Sequence, residues 1–97
     1  SLAAIRAALH AEASDWAASQ LAVLDRVSPT SLAVTIELLQ RGAAKSLAEC
    51  LAMELALTRT VTRHPDFAEG VRAVLVDKDN TPRWAPEAPL AALFGAA

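Results

Sequence analysis

One cysteine, two histidines and eleven carboxylates are the groups in this 97-residue chain that could carry chemistry. Cys50 is the only thiol. A nucleophilic cysteine needs a neighbouring base or a lowered pKa. Cys50 instead falls on the apolar stripe of a long helical segment, beside Leu51, which is the place of a core thiol. His10 and His64 are far apart in the chain. A zinc site takes three or four convergent ligands, so neither histidine reads as a metal ligand. His64 suits a helix end, where an imidazole can meet the terminal carbonyls. Asp77-Lys78-Asp79-Asn80 has the start of a calcium loop. It lacks the glycine at the sixth position, where Pro82 stands, and the acid at the twelfth, where Ala88 stands. Glu12, Glu37, Glu49, Glu54, Glu69 and Glu87 are candidate bases by type alone. Glu49 is committed to a helix cap, and Glu54 lies at the edge of an apolar stripe. Salt-bridged or solvated glutamates account for the set. No catalytic residue and no metal ligand is expected in this chain.

The elements that carry these groups are helices. Hydrophobic residues make up 54% of the chain, but 23 of them are alanines and only four aromatics occur. Alanine favours helix and adds little core volume. The net charge of −2 gives no basic face for nucleic acid or for an anionic membrane surface. No apolar run approaches the roughly 20 residues of a membrane span. A single cysteine suits a reducing compartment, so a cytoplasmic location is expected. The first residues, Ser1-Leu2-Ala3-Ala4, carry no initiating Met and no leader pattern, and read as a cut inside a longer chain.

The pattern predicts an all-α fold of about five or six helices, in one region over 1–97. A first helix runs over 1–11, with Leu2, Ile5, Ala8 and Leu9 on one face. Ser14-Asp15 caps a second over 15–26, with Trp16, Leu21, Val23, Leu24 and Val27 as its bulky positions. Ser28-Pro29 restarts the chain, and Leu32, Ile36 and Leu39 form a stripe to about residue 41. Gly42 is expected to end that helix at positive φ. Ser46-Leu47-Ala48-Glu49 is a capping box. It opens a helix to about Arg63, with Leu47, Cys50, Leu51, Leu55, Thr58 and Val61 as the expected buried stripe. Pro65 and Asp66 start another helix, with Phe67, Val71, Val74 and Leu75, ending near Asp77. Gly70 inside it should cost about 1 kcal/mol against alanine, so a close helix or backbone neighbour is expected there. Asp79-Asn80-Thr81-Pro82 is turn chemistry. The segment 85–97 reads as an irregular Pro/Ala tail with room for a short helix over 89–94.

Three segments together resemble a known family: Ser28-Pro29-Thr30-Ser31-Leu32, Met53-Glu54, and the run from Asp66 to Asp79 followed by Pro82-Arg83-Trp84. Phe67-x-Glu69-Gly70-x-x-Ala73 is similar to a helix of the enoyl-CoA hydratase/isomerase (crotonase) superfamily. The continuation Val71-Arg72-Ala73-Val74-Leu75-Val76-Asp77-Lys78-Asp79, ending in Pro82-x-Trp84, resembles its 3-hydroxyisobutyryl-CoA hydrolase branch. The resemblance runs from about 14 to 86 and covers only the C-terminal helical portion. It implies a fold whose ββα spiral core is absent from this chain. It also implies a parent enzyme that processes a CoA thioester with oxyanion-binding backbone N–H groups and acidic side chains, none of which matches a position here. The reaction would be thioester hydrolysis in valine breakdown, or hydration or isomerisation of an enoyl-CoA.

The same resemblance implies that this part covers the acyl-CoA pocket and makes subunit contacts in a homo-oligomer. Acyl-CoA is the substrate, no cofactor is needed, and a eukaryotic parent would work in the mitochondrial matrix. In the hydratases a Phe and a Lys just after this helix reach the adenosine end of CoA. Here Val74 stands for the Phe, and Lys78 is displaced by about one position. Lys78 is thus the candidate point charge for a CoA phosphate, with Arg83 second. The competing reading is a surface lysine paired with Asp77 or Asp79. A different class also stays open: a helical docking or oligomerisation module without activity, suggested by the surplus of apolar residues.

Overall fold

Four serines start four of the helices. Ser1, Ser14, Ser28 and Ser46 each accept, through Oγ, the N–H three residues on at 3.1–3.2 Å. Each bond satisfies a donor that the first helical turn leaves without a partner. The computed structural model describes residues 1–94. The helices are α1 (Leu2–Glu12), α2 (Asp15–Arg26), α3 (Pro29–Gly42), α4 (Leu47–Val61), α5 (Pro65–Val71) and α6 (Leu90–Phe94), with a π-helical turn, Arg72–Val76, continuing α5. The chain is all-α, and no strand occurs among the described residues. Residues 95–97 of the expected tail lie outside them. No described helix is long and apolar enough to cross a membrane.

α1 and α2 pack as a hairpin. Ala13 turns the chain in the left-handed region (φ 55), and Arg6 pairs with Asp25 at 2.7 Å across the two helices. α6 packs on α3 and α4, where Val34, Leu57 and Leu93 form the buried cluster, with Leu38, Val61, Ala88, Leu90 and Phe94 against it. Burying each large side chain stabilises the fold by roughly 1.5–3 kcal/mol. Thr60 Oγ1 ties α4 to α6 by donating to the Leu93 carbonyl.

The segment between the π turn and α6 has no helix, yet polar side chains fasten it along its length. Trp84 Nε1 donates to the Arg26 carbonyl at 2.8 Å. The Ala85 N–H reaches Asp66 Oδ1 at 2.8 Å, and the Ala88 N–H reaches Thr30 Oγ1 at 3.0 Å. Asp66 is the junction. Its side chain is buried, and its other oxygen accepts the Ser28 hydroxyl. One carboxylate therefore joins the cap of α3, the first turn of α5 and the tail.

Several expectations need correction. The stripe Leu47, Leu51, Leu55 and Thr58 is exposed, at 76%, 57% and 60% for the three leucines. Leu57 faces the core instead, because α6 docks on that side of α4. Leu39 is exposed as well, and Val34 and Leu38 take its inward role. Phe67, Val74 and Leu75 are likewise exposed rather than packed. Gly42 is the last residue of α3, and Ala43 follows with right-handed angles (φ −58, ψ −30), so no left-handed stop is used. A Cβ on Gly42 would stand 3.5 Å from the Cys50 sulfur, an ordinary contact. α4 ends at Val61, two residues early, and His64 caps α5 rather than closing α4. Its Nδ1 accepts the Asp66 N–H at 3.1 Å. The neighbour of Gly70 is a side chain, the Trp84 indole at 3.5 Å, not a helix or backbone.

Candidate functional site

Where α5 runs into the π turn, one guanidinium gathers three carboxylates. Arg72 lies one turn after Glu69, and its Nε and Nη2 donate to Glu69 Oε1 and Oε2 at 2.8 and 2.7 Å. This fork-on-fork geometry is the strong form of the pair. Nη1 donates to Asp77 Oδ2 and Asp79 Oδ2, both at 2.8 Å. The Arg72–Asp77 pair spans the same five residues as the backbone bond from the Asp77 N–H to the Arg72 carbonyl, at 2.7 Å.

The cluster also folds the next residues back on α5. Glu69 Oε2 accepts the Arg83 N–H at 2.7 Å, and Asp79 Oδ1 accepts the Thr81 N–H at 3.0 Å. Lys78 and Asn80 both hold φ 55. A left-handed lysine costs on the order of 1 kcal/mol or more, which the surrounding bonds offset. The Arg72 side chain, followed by the Arg83 N–H, lowers the Glu69 carboxyl to about 2. Arg72, followed by the Thr81 N–H, lowers Asp79 to about 2. Glu69, then Asp79 and Asp77, hold the Arg72 proton more firmly than usual.

Lys78 is exposed, and it pairs with neither neighbour: Asp77 and Asp79 both turn to Arg72. Among the described residues no carboxylate lies within ion-pair distance of Lys78. Arg83 lines two open clefts beside Glu69 and Arg72, of about 500 and 320 Å³. Lys78 lines neither. The structure thus brings Arg83 to the cluster and leaves Lys78 outside both clefts.

The other chemistry-bearing side chains are accounted for locally. Cys50 is half-buried, and its Sγ–H points at the Gly42 carbonyl at 3.6 Å. His10 and Glu54 are exposed. Glu49 closes the capping box on the Ser46 N–H at 2.9 Å, which lowers its carboxyl below the ordinary range. Glu37 pairs with Arg41, whose guanidinium stacks on Phe94 at 4.3 Å. Among the described residues no three His, Cys, Asp or Glu side chains converge as a metal would require. Sequence reasoning missed Arg72 and Asp66. Arg72 had a signal, an acid three residues earlier on the same helix face. Asp66 had none, because its partners Ser28 and Ala85 are distant in the chain.

The family model for enoyl-CoA hydratase/isomerase matches residues 1–91. The chain is 47% identical over 78 residues to the human mitochondrial 3-hydroxyisobutyryl-CoA hydrolase, covering 80% of this chain and 20% of that protein. It is 50% identical over 76 residues to the corresponding hydrolase of Dictyostelium discoideum, covering 77% and 20%. It is 44% identical over 87 residues to that of Xenopus tropicalis, covering 90% and 23%. The chain thus spans about a fifth of the length of these curated relatives.

Proposed function

Because the chain belongs to the enoyl-CoA hydratase/isomerase family, we propose that its parent hydrolyses a short branched 3-hydroxyacyl-CoA thioester, and that this helical part covers the acyl-CoA pocket. The observation that carries the reading is identity of 44–50% with proteins named 3-hydroxyisobutyryl-CoA hydrolase across most of the chain. In such a parent two backbone N–H groups hold the thioester oxyanion while acidic side chains activate water. Those groups belong to the ββα portion, and this chain contributes binding and cover. The reaction belongs to valine breakdown, in the cytoplasm of a bacterium or the matrix of a mitochondrion. The relatives' names carry the mitochondrial label.

Lys78 is the proposed contact to a CoA phosphate. Its support is an exposed ammonium whose two acidic neighbours are engaged by Arg72. Arg83 is a second, weaker contact at the adjoining cleft. Two assays test the reading. The full-length parent should release free thiol from 3-hydroxyisobutyryl-CoA, and the isolated 97 residues should release none. Turnover by the isolated chain would overturn the placement of the catalytic groups. Lys78→Ala in the parent should raise KM with little change in kcat.

A second reading, a docking or oligomerisation module, is favoured by one observation. Leu47, Leu51 and Leu55 form an exposed apolar row on α4, and Phe67, Val74, Leu75 and Val76 add a second exposed apolar set. Sedimentation of the parent distinguishes subunit contacts from none.

A further inference from the structure

We propose that Arg72 is a positioning residue for Lys78: by taking up Asp77 and Asp79 it leaves the Lys78 ammonium free for an anion, while Glu69 and Asp79 hold the backbone of the 77–83 segment. The inference rests on the CoA-phosphate role of Lys78. Lys78 stands between two aspartates, and adjacent opposite charges would ordinarily compete for it. Both carboxylates instead reach the same Arg72 nitrogen at 2.8 Å. Arg72 can hold both because its other face is locked on Glu69 by two bonds. A guanidinium has five donors in a fixed fork, which a lysine at this place could not match. The same set of bonds fixes the backbone. Glu69 holds the Arg83 N–H and Asp79 holds the Thr81 N–H, bracketing the left-handed Lys78 and Asn80. Arg72 itself has no spare charge for a phosphate, since three carboxylates surround it. Its effect on an anionic substrate is therefore indirect, through Lys78.

The test uses the full-length enzyme with two substrates, the acyl-CoA and the matching pantetheine thioester, which lacks the nucleotide phosphates. Arg72→Gln should raise KM for the acyl-CoA about fivefold, the scale of one exposed charge contact, and leave kcat and the pantetheine KM unchanged. Adding Asp77→Asn and Asp79→Asn to Arg72→Gln should restore most of the acyl-CoA KM, because the competing acids are gone. A purely structural role for Arg72 predicts no restoration and a pantetheine substrate affected equally, and either result overturns the proposal. Arg72→Lys should fall between native and Arg72→Gln, and gives a foldable second variant. A native KM in that variant together with a native KM in Arg72→Gln would also overturn it. The two readings fail separately. An unchanged KM in Lys78→Ala removes the CoA contact itself, whereas a raised KM in Lys78→Ala with a native KM in Arg72→Gln removes only the positioning role.

Discussion

At the scale of single residues, the polar side chains decide more than the apolar ones. Asp66 is 6% exposed and accepts hydrogen bonds from the Ser28 hydroxyl and the Ala85 N–H. Removing it leaves both donors without a partner in a buried place. Asp66→Ala should therefore destabilise the chain by about 2–4 kcal/mol, read as the shift in denaturant midpoint. Asp66→Asn keeps an acceptor for one of the two donors and should cost less. Gly70 argues the other way. A Cβ there meets the Trp84 indole at 3.5 Å, an ordinary contact, and the residue sits inside α5 with helical geometry. Gly70→Ala should stabilise by about 0.5–1 kcal/mol through helix propensity and a smaller unfolded ensemble. A fall in melting temperature would mean that the indole has no room to accept the methyl group.

At the scale of elements, the helix starts were legible because each is written locally. A serine and the N–H three residues on need no knowledge of the rest of the chain, and Ser46 with Glu49 forms the expected box in both directions. Ser46→Ala should cost about 1 kcal/mol, measured by thermal unfolding. The inward faces were not legible. α4 is alanine- and leucine-rich on more than one side, so spacing alone selects Leu47, Leu51 and Leu55, while docking of α6 selects Leu57. The π turn was missed for a related reason. Its five-residue backbone bond, from the Asp77 N–H to the Arg72 carbonyl, and the pairs of Arg72 with Asp77 and Asp79 beside it leave no mark on a helical period. Its pH behaviour follows from the lowered carboxyls. Glu69 and Asp79 are both held at about 2, below their ordinary values of 4.5 and 3.8. Their contribution is complete above the ordinary range and is lost as pH falls toward 2. Carboxyl carbon titration should show both midpoints near 2, with the Thr81 and Arg83 amides protected from exchange down to about pH 4. A Glu69 midpoint near 4.5 would show that the Arg72 fork does not persist in solution.

At the scale of the whole molecule, what stands out is the mismatch between apolar content and core. Among the described residues three large side chains are buried together, Val34, Leu57 and Leu93. Leu47, Leu51, Leu55, Phe67, Val74, Leu75 and Val76 all stand exposed. The sequence resemblance identified the family, but spacing alone placed the α4 leucines in a buried stripe where the structure leaves them exposed. In a parent whose other domain packs on them, each leucine would be worth roughly 1.5–3 kcal/mol of burial. That gives a prediction with two arms. In the isolated chain, Leu51→Gln with Leu55→Gln should leave the melting temperature nearly unchanged, since neither side chain reaches the buried cluster, and should reduce binding of an apolar dye. In the full-length parent the same pair should cost about 3–6 kcal/mol if both leucines are covered there. Unchanged stability in the parent, with dye binding by the parent equal to that of the isolated chain, would mean that the α4 face is open in both. It would then serve neither as cover for the acyl-CoA pocket nor as a subunit contact. Loss of stability in the parent, with its oligomeric state unchanged, would assign the face to the domain beneath it rather than to a second copy.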